Sequence, residues 1–134
     1  MTEQDAITID IDNRGVATVT LNRPHIHNAF DDTVIVELIN AFEFIHQNND
    51  VRVMVLAATG KSFCAGADLN WMKKMASYSY AENRQDAEQL AKLFSTLYNL
   101  NKPTIARLQG AVYGGGVGLV ACCDIAIGSK LSKF

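Results

Sequence analysis

Two runs of small residues concentrate the positions where this chain could do chemistry. Phe63-Cys64-Ala65-Gly66-Ala67-Asp68-Leu69 is one, and Gly110-Ala111-Val112-Tyr113-Gly114-Gly115-Gly116-Val117-Gly118-Leu119 is the other. Each follows an apolar run that reads as a strand and precedes a stretch with helical spacing. At such a junction backbone N–H groups point outward and the helix dipole adds partial positive charge, which favours an anionic oxygen. Glycine and alanine let a ligand come close to the main chain. Tight packing of helix on strand also selects small residues, but two such loops in one short chain favour a site. Three kinds of anion compete. Gly60-Lys61-Ser62 looks like the end of a P-loop, yet Val55 stands where that loop needs its first glycine. Gly116-Val117-Gly118-Leu119-Val120-Ala121 fits the loose dinucleotide pattern, but its ribose-binding acid, expected ~20 residues on, would fall past Phe134. The third candidate is an oxyanion held by one backbone N–H from each loop.

Other reactive side chains have plainer roles. Asp68 precedes a helical stretch, where a carboxylate caps free N–H groups. Asp124, between helix and strand, reads as a structural acceptor. Cys64 has no paired base and reads as a small packed thiol. His25 and His27 lack a third ligand, so no metal site is expected. Trp71, Met72 and Met75 wall either an acyl pocket or ordinary core. Glu82, Asp86 and Glu88 read as a solvated helix face.

The elements that must position these loops follow from periodicity. Ala6 to Asp12 alternates as a half-buried strand, Asn13-Arg14-Gly15 turns, and Val16 to Leu21 alternates again. The polar, proline-broken segment from Asn22 to Ala29 is a loop. From Asp31 or Asp32 as N-cap, Val34, Ile35, Leu38, Ala41, Phe42 and Ile45 recur at helical spacing. Val51 to Ala58 predicts a strand covered on both faces. Helices are expected over Leu69 to Met75, Ala81 to Tyr98 and from the triple glycine to Cys122. Strands are expected at Thr104 to Leu108 and Cys123 to Ile127. The order is an α/β alternation.

Composition fits one globular domain. The 134 residues are 49% hydrophobic and 19% charged, with a net charge of −2, which excludes disorder. Twelve basic against fourteen acidic residues leave no footprint for nucleic acid or an anionic membrane. Neither a membrane span nor a leader is legible, and three cysteines make no disulfide framework. A cytoplasmic location is the expectation.

Taken together, Asn22-Arg23-Pro24, Asn28-Ala29, Phe63 to Leu69, Gly114-Gly115-Gly116 and Cys123-Asp124-Ile125-Ala126 resemble the enoyl-CoA hydratase/isomerase (crotonase) superfamily. The motifs stand in the family's order along the whole chain. Asp68-Leu69-Asn70-Trp71-Met72-Lys73 and Val117 to Asp124 look most like bacterial methylglutaconyl-CoA hydratases of leucine and isoprenoid breakdown. The resemblance implies a crotonase-type α/β fold of stacked ββα turns, with residues 1–134 as the N-terminal part of one domain, incomplete at its C-terminus. It places the oxyanion hole at the N–H groups of Ala67 and Gly115. It assigns His25, Ile26, Ala29, Ala65, Asp68, Leu69, Gly114 and Gly118 to the substrate, an acyl-CoA thioester. It further implies a homotrimer or a dimer of trimers, with no cofactor beyond the substrate.

One departure bears on mechanism. Two-glutamate hydratases carry their first catalytic glutamate where this chain has Gly118, and the second would lie beyond Phe134. A single-carboxylate hydratase is therefore expected, in a natural protein of roughly 250 residues. A Δ3,Δ2-enoyl-CoA isomerase and a non-catalytic acyl-CoA-binding homologue are the alternatives.

Overall fold

The computed structural model describes residues 5–134; Met1–Gln4, part of the segment in which no leader is legible, lie outside them. Its five strands stand in the sheet in chain order: β1 (Ile7–Ile11), β2 (Val16–Leu21), β3 (Val53–Ala58), β4 (Thr104–Leu108) and β5 (Ile125–Gly128). β1 and β2 are antiparallel, and every later pair is parallel. Parallel neighbours need crossovers. Helix α1 (Asp32–Gln47) supplies the first, α2 (Leu69–Met75) with α3 (Tyr80–Tyr98) the second, and α4 (Gly115–Cys122) the third.

β1 ends one residue earlier than the alternation predicts because Asp12 makes the turn. Its Oδ1 accepts from the N–H groups of Arg14 and Val16 at 2.8 and 3.1 Å. The Arg14 side chain bonds the same carboxylate, and with the Val16 N–H it holds Asp12 below its ordinary pKa of 3.8. Gly15, at φ +81°, takes the left-handed conformation that closes the turn. α1 begins where an aspartate can cap it: Asp31 Oδ1 accepts from Val34 N–H at 2.9 Å. α3 opens with a reciprocal capping box between Ser79 and Glu82.

Register explains which faces are covered. Ala17, Val19 and Leu21 align with Met54, Leu56 and Ala58, and Met54 and Leu56 align in turn with Thr104 and Ala106. Because parallel neighbours share a face, these residues form one surface, apolar apart from Thr104. They are buried, apart from the half-buried Ala58, in a single core with Leu38, Phe42 and Ile45 of α1 and Leu93 and Leu97 of α3. The opposite face carries Val53 and Val55, both half-buried, and the exposed Arg107. β3 is thus sealed on one face and only partly covered on the other, less than its apolar run predicts. It starts at Val53 rather than Val51, which closes the preceding turn by donating to Asn48 O. β5 likewise starts at Ile125, because Cys123 ends α4 and Asp124 ties the strand down instead of joining it. Asp124 Oδ2 accepts from the Thr104 N–H at 2.8 Å and from its hydroxyl at 3.2 Å.

Candidate active site

The small-residue loops fold against each other through short parallel ladders. Cys64 bridges to Val112: its N–H donates to Ala111 O at 3.2 Å, and its carbonyl accepts from Tyr113 N–H at 2.9 Å. Ala67 bridges to Phe30, but the bonds belong to its neighbours. Phe30 N–H donates to Gly66 O and Asp68 N–H donates to Phe30 O, each at 2.9 Å. Successive peptide groups of an extended segment face opposite ways. The N–H of Ala67 therefore points off the ladder, and it meets no acceptor among the described residues. Gly115 opens α4, so its N–H is one of the orphan donors of a helix start and also has no acceptor among the described residues.

The glycines explain how the loops come so close. A Cβ on Gly66 would lie 3.1 Å from Tyr113 O and 3.6 Å from Gly114 Cα. On Gly115 it would sit 2.3 Å from the Phe30 ring, and on Gly116 2.8 Å from Cys64 O. On Gly118 it would meet the Phe94 ring at 2.7 Å. Protein atoms therefore fill the space beside Gly116 and Gly118, where a dinucleotide motif would leave room for a pyrophosphate. Two unpaired donors on abutting loops match instead what a carbonyl oxygen gaining negative charge requires.

A cleft of about 530 Å³ opens beside the first loop, and Ile26, Ala29, Ala65, Ala67, Asp68 and Leu69 line it. The structure thus gathers six of the expected residues around one volume. His27, Asn70 and Lys73 line it too. His25 does not: it borders a separate cavity with Arg23 and Asp31. The cause is local. Pro24–Ile26 forms one 3-10 turn, and His27 and Asn28 follow at φ 53° and 54°, so adjacent side chains diverge. Buried Asn28 holds this bend, its Nδ2 donating to Thr59 O at 2.8 Å and to Ser62 O at 3.0 Å. His27 Nδ1 lies 3.0 Å from Ser62 Oγ. Gly114, Gly115 and Gly118 do not line the cleft; Gly114 abuts Gly66, and Gly118 faces Phe94.

Asp68 has the capping role its position predicts, with Oδ1 accepting from Asn70 and Trp71 N–H at 2.7 and 3.1 Å. Its other oxygen faces Arg23 at 3.8 Å. Cys64 is fully buried, and loss of water pushes its thiol up to about 11, which suits packing rather than nucleophilic attack. Trp71 is core, Met75 is half-buried against it, and Met72 is 49% exposed. Asp86 departs from the solvated-face expectation: it is partly buried and accepts from Trp71 Nε1–H at 3.3 Å. Lys73 was missed because it stands one helical turn beyond the small-residue run; its i+4 spacing from Leu69 was the available signal.

Known proteins share this fold and sequence. The chain is 42% identical to a Legionella pneumophila protein assigned to the enoyl-CoA hydratase/isomerase (crotonase) group, with a TM-score of 0.93 over 97% of this chain and 50% of that one. An enoyl-CoA hydratase from Shewanella pealeana is 44% identical, with a TM-score of 0.90 over 92% of this chain and 46% of that one. The short-chain-enoyl-CoA hydratase of Clostridium acetobutylicum is 37% identical over 89% of this chain and 45% of its own length. The chain spans about half the length of the curated relatives it matches. Its sheet and helices are those of the crotonase fold. The family model Enoyl-CoA hydratase/isomerase matches residues 12–134, and the chain belongs to that family.

Proposed function

We propose that the polypeptide carrying this chain adds water across the α,β double bond of an acyl-CoA thioester. The observation that carries this is the pair of unpaired N–H groups, Ala67 and Gly115, on loops that touch beside a cleft. In the reaction, water gives one proton to a base as its oxygen bonds to the β carbon, and the π electrons move toward the thioester oxygen. That oxygen, now bearing enolate charge, lies between the two donors. The enolate then collapses and takes a proton at the α carbon. The thioester itself accepts the electrons, so the route calls for no resident cofactor.

Proton transfer is assigned to a carboxylate that the family resemblance places after residue 134. Two observations support this. Gly118 supplies no carboxylate, and Phe94 fills the space beside it. Asp68 lines the cleft, but one oxygen caps α2 and the other faces the Arg23 guanidinium at 3.8 Å. Lys73 borders the cleft as a cation, whereas His25 lies in a separate cavity. Residues 1–134 are read as the N-terminal part of one crotonase domain, in a cytoplasmic trimer or dimer of trimers. The resemblance of the Asp68 to Lys73 and Val117 to Asp124 segments to methylglutaconyl-CoA hydratases is the ground for assigning a branched, methylglutaconyl-type acyl group.

The test is to follow crotonyl-CoA, 3-methylglutaconyl-CoA and a Δ3-enoyl-CoA by NMR with the natural-length polypeptide. A 3-hydroxyacyl product from the first two is expected, faster from the branched one. Double-bond migration alone would replace this proposal with an isomerase. Thioester binding without turnover would replace it with a binding protein.

A further inference from the structure

A partly buried arginine faces Asp68, the residue that directly follows the candidate oxyanion donor Ala67. Arg23 is only 23% exposed and serves two helix caps at once. Its Nη1 is 3.3 Å from Asp31 Oδ2, and Asp31 Oδ1 caps α1. Its Nη2 is 3.8 Å from Asp68 Oδ2, and Asp68 Oδ1 caps α2. Nη1 also donates to Ala29 O at 3.4 Å, while the Arg23 N–H is held by Asn28 Oδ1 at 2.7 Å. The planar guanidinium suits such a two-sided grip, because its forked donors are fixed relative to one another.

Asp68 follows Ala67 directly. The Ala67 peptide is bounded by Gly66, whose carbonyl is bonded to Phe30, and by Asp68, whose N–H is bonded to Phe30. The Asp68 side chain has one oxygen in the α2 cap and one facing Arg23, so the residue after Ala67 is tied to both. We infer that Arg23 is a positioning residue for the Ala67 N–H: by holding the caps of α1 and α2 together it sets the direction in which that donor meets a thioester oxygen.

The inference rests on the proposed thioester chemistry, and the experiment keeps the two apart. The infrared carbonyl stretch of an enoyl-CoA bound to the natural-length protein reads polarisation by the donors, whereas a purely structural role would leave it unmoved in a folded variant. Wild type is expected to lower the frequency. Arg23→Gln is expected to lose much of that shift and to lower kcat between about 10-fold and about 10²-fold, as a misaimed catalytic group does. Its KM should change far less. Should Arg23→Gln not fold, Asp68→Asn serves instead, because asparagine still caps a helix but removes the charge facing Arg23. The same loss of carbonyl shift is expected there. A folded variant with wild-type shift and kcat overturns the role of Arg23. A wild-type protein that leaves the carbonyl unshifted overturns the thioester proposal itself.

Discussion

At the scale of single residues, the site depends on main-chain groups, and side chains matter for what they omit. Gly115 is the clearest case. Proline there would delete the N–H, but any Cβ would also run into Phe30. Alanine makes the same collision and keeps the donor, so Gly115→Ala is the control for the lost N–H in Gly115→Pro. Turnover of the proline variant is expected to be lower than that of alanine by about 10² or more; equal rates would remove Gly115 from the reaction. Cys64 gives an opposite kind of prediction. A thiol raised from 9.0 to about 11 is almost wholly protonated at pH 8, so its alkylation by iodoacetamide should be about 100-fold slower than that of an unperturbed thiol, before burial slows it further. Peptide mass mapping after timed labelling measures this, and rapid modification of Cys64 would contradict its packed role. Asp12 makes stability depend on acid. Its folded pKa lies below 3.8, so its contribution is present above that value and is lost as pH falls through the folded one. Asp12→Asn should therefore lower the denaturation midpoint at pH 7, and the two proteins should converge in strong acid.

At the scale of elements, caps decide where helices begin and end. Lys102 closes α1: its Nζ donates to Ile45 O, to His46 O at 2.9 Å and to Asn48 O at 3.0 Å. A cation at a helix C-terminus also meets the negative end of the dipole, so Lys102→Met should cost about 1 kcal/mol, read from urea unfolding. No loss would show that water serves those carbonyls equally well. These elements also show what could be read in advance. The strands from Val16 and Thr104, the Asp68 cap and the Asp124 acceptor follow from patterns confined to a few neighbouring residues. The separation of His25 from His27 does not, since it depends on a 3-10 turn that runs into a left-handed His27 with no glycine to announce it. Phe94 filling the space beside Gly118 was equally hidden, because α3 and α4 meet only in the folded chain. Arg23 stood within a recognised motif, but its partners, Asp31 and Asp68, come from two different helix starts.

At the scale of the whole molecule, the sheet presents β5 largely uncovered. Ile125 and Ile127 are 51% and 59% exposed, and Leu131 and Phe134 are 81% and 70% exposed. Among the described residues no strand pairs with the outer edge of β5. An apolar face beside an open edge recruits other chains. Residues 1–134 expressed alone should therefore self-associate with rising concentration in sedimentation velocity and hydrate no enoyl-CoA. A monomeric, active preparation would instead require a carboxylate within the chain, Asp68 being the nearest. The central claim is that the two loops together grip one oxygen. A crystal structure of the natural-length protein with a non-hydrolysable enoyl-CoA thioester analogue tests it most directly. The carbonyl oxygen is expected within hydrogen-bond reach of both the Ala67 and Gly115 nitrogens, at about 2.7 to 3.1 Å. An analogue bound with that oxygen away from both nitrogens would contradict it.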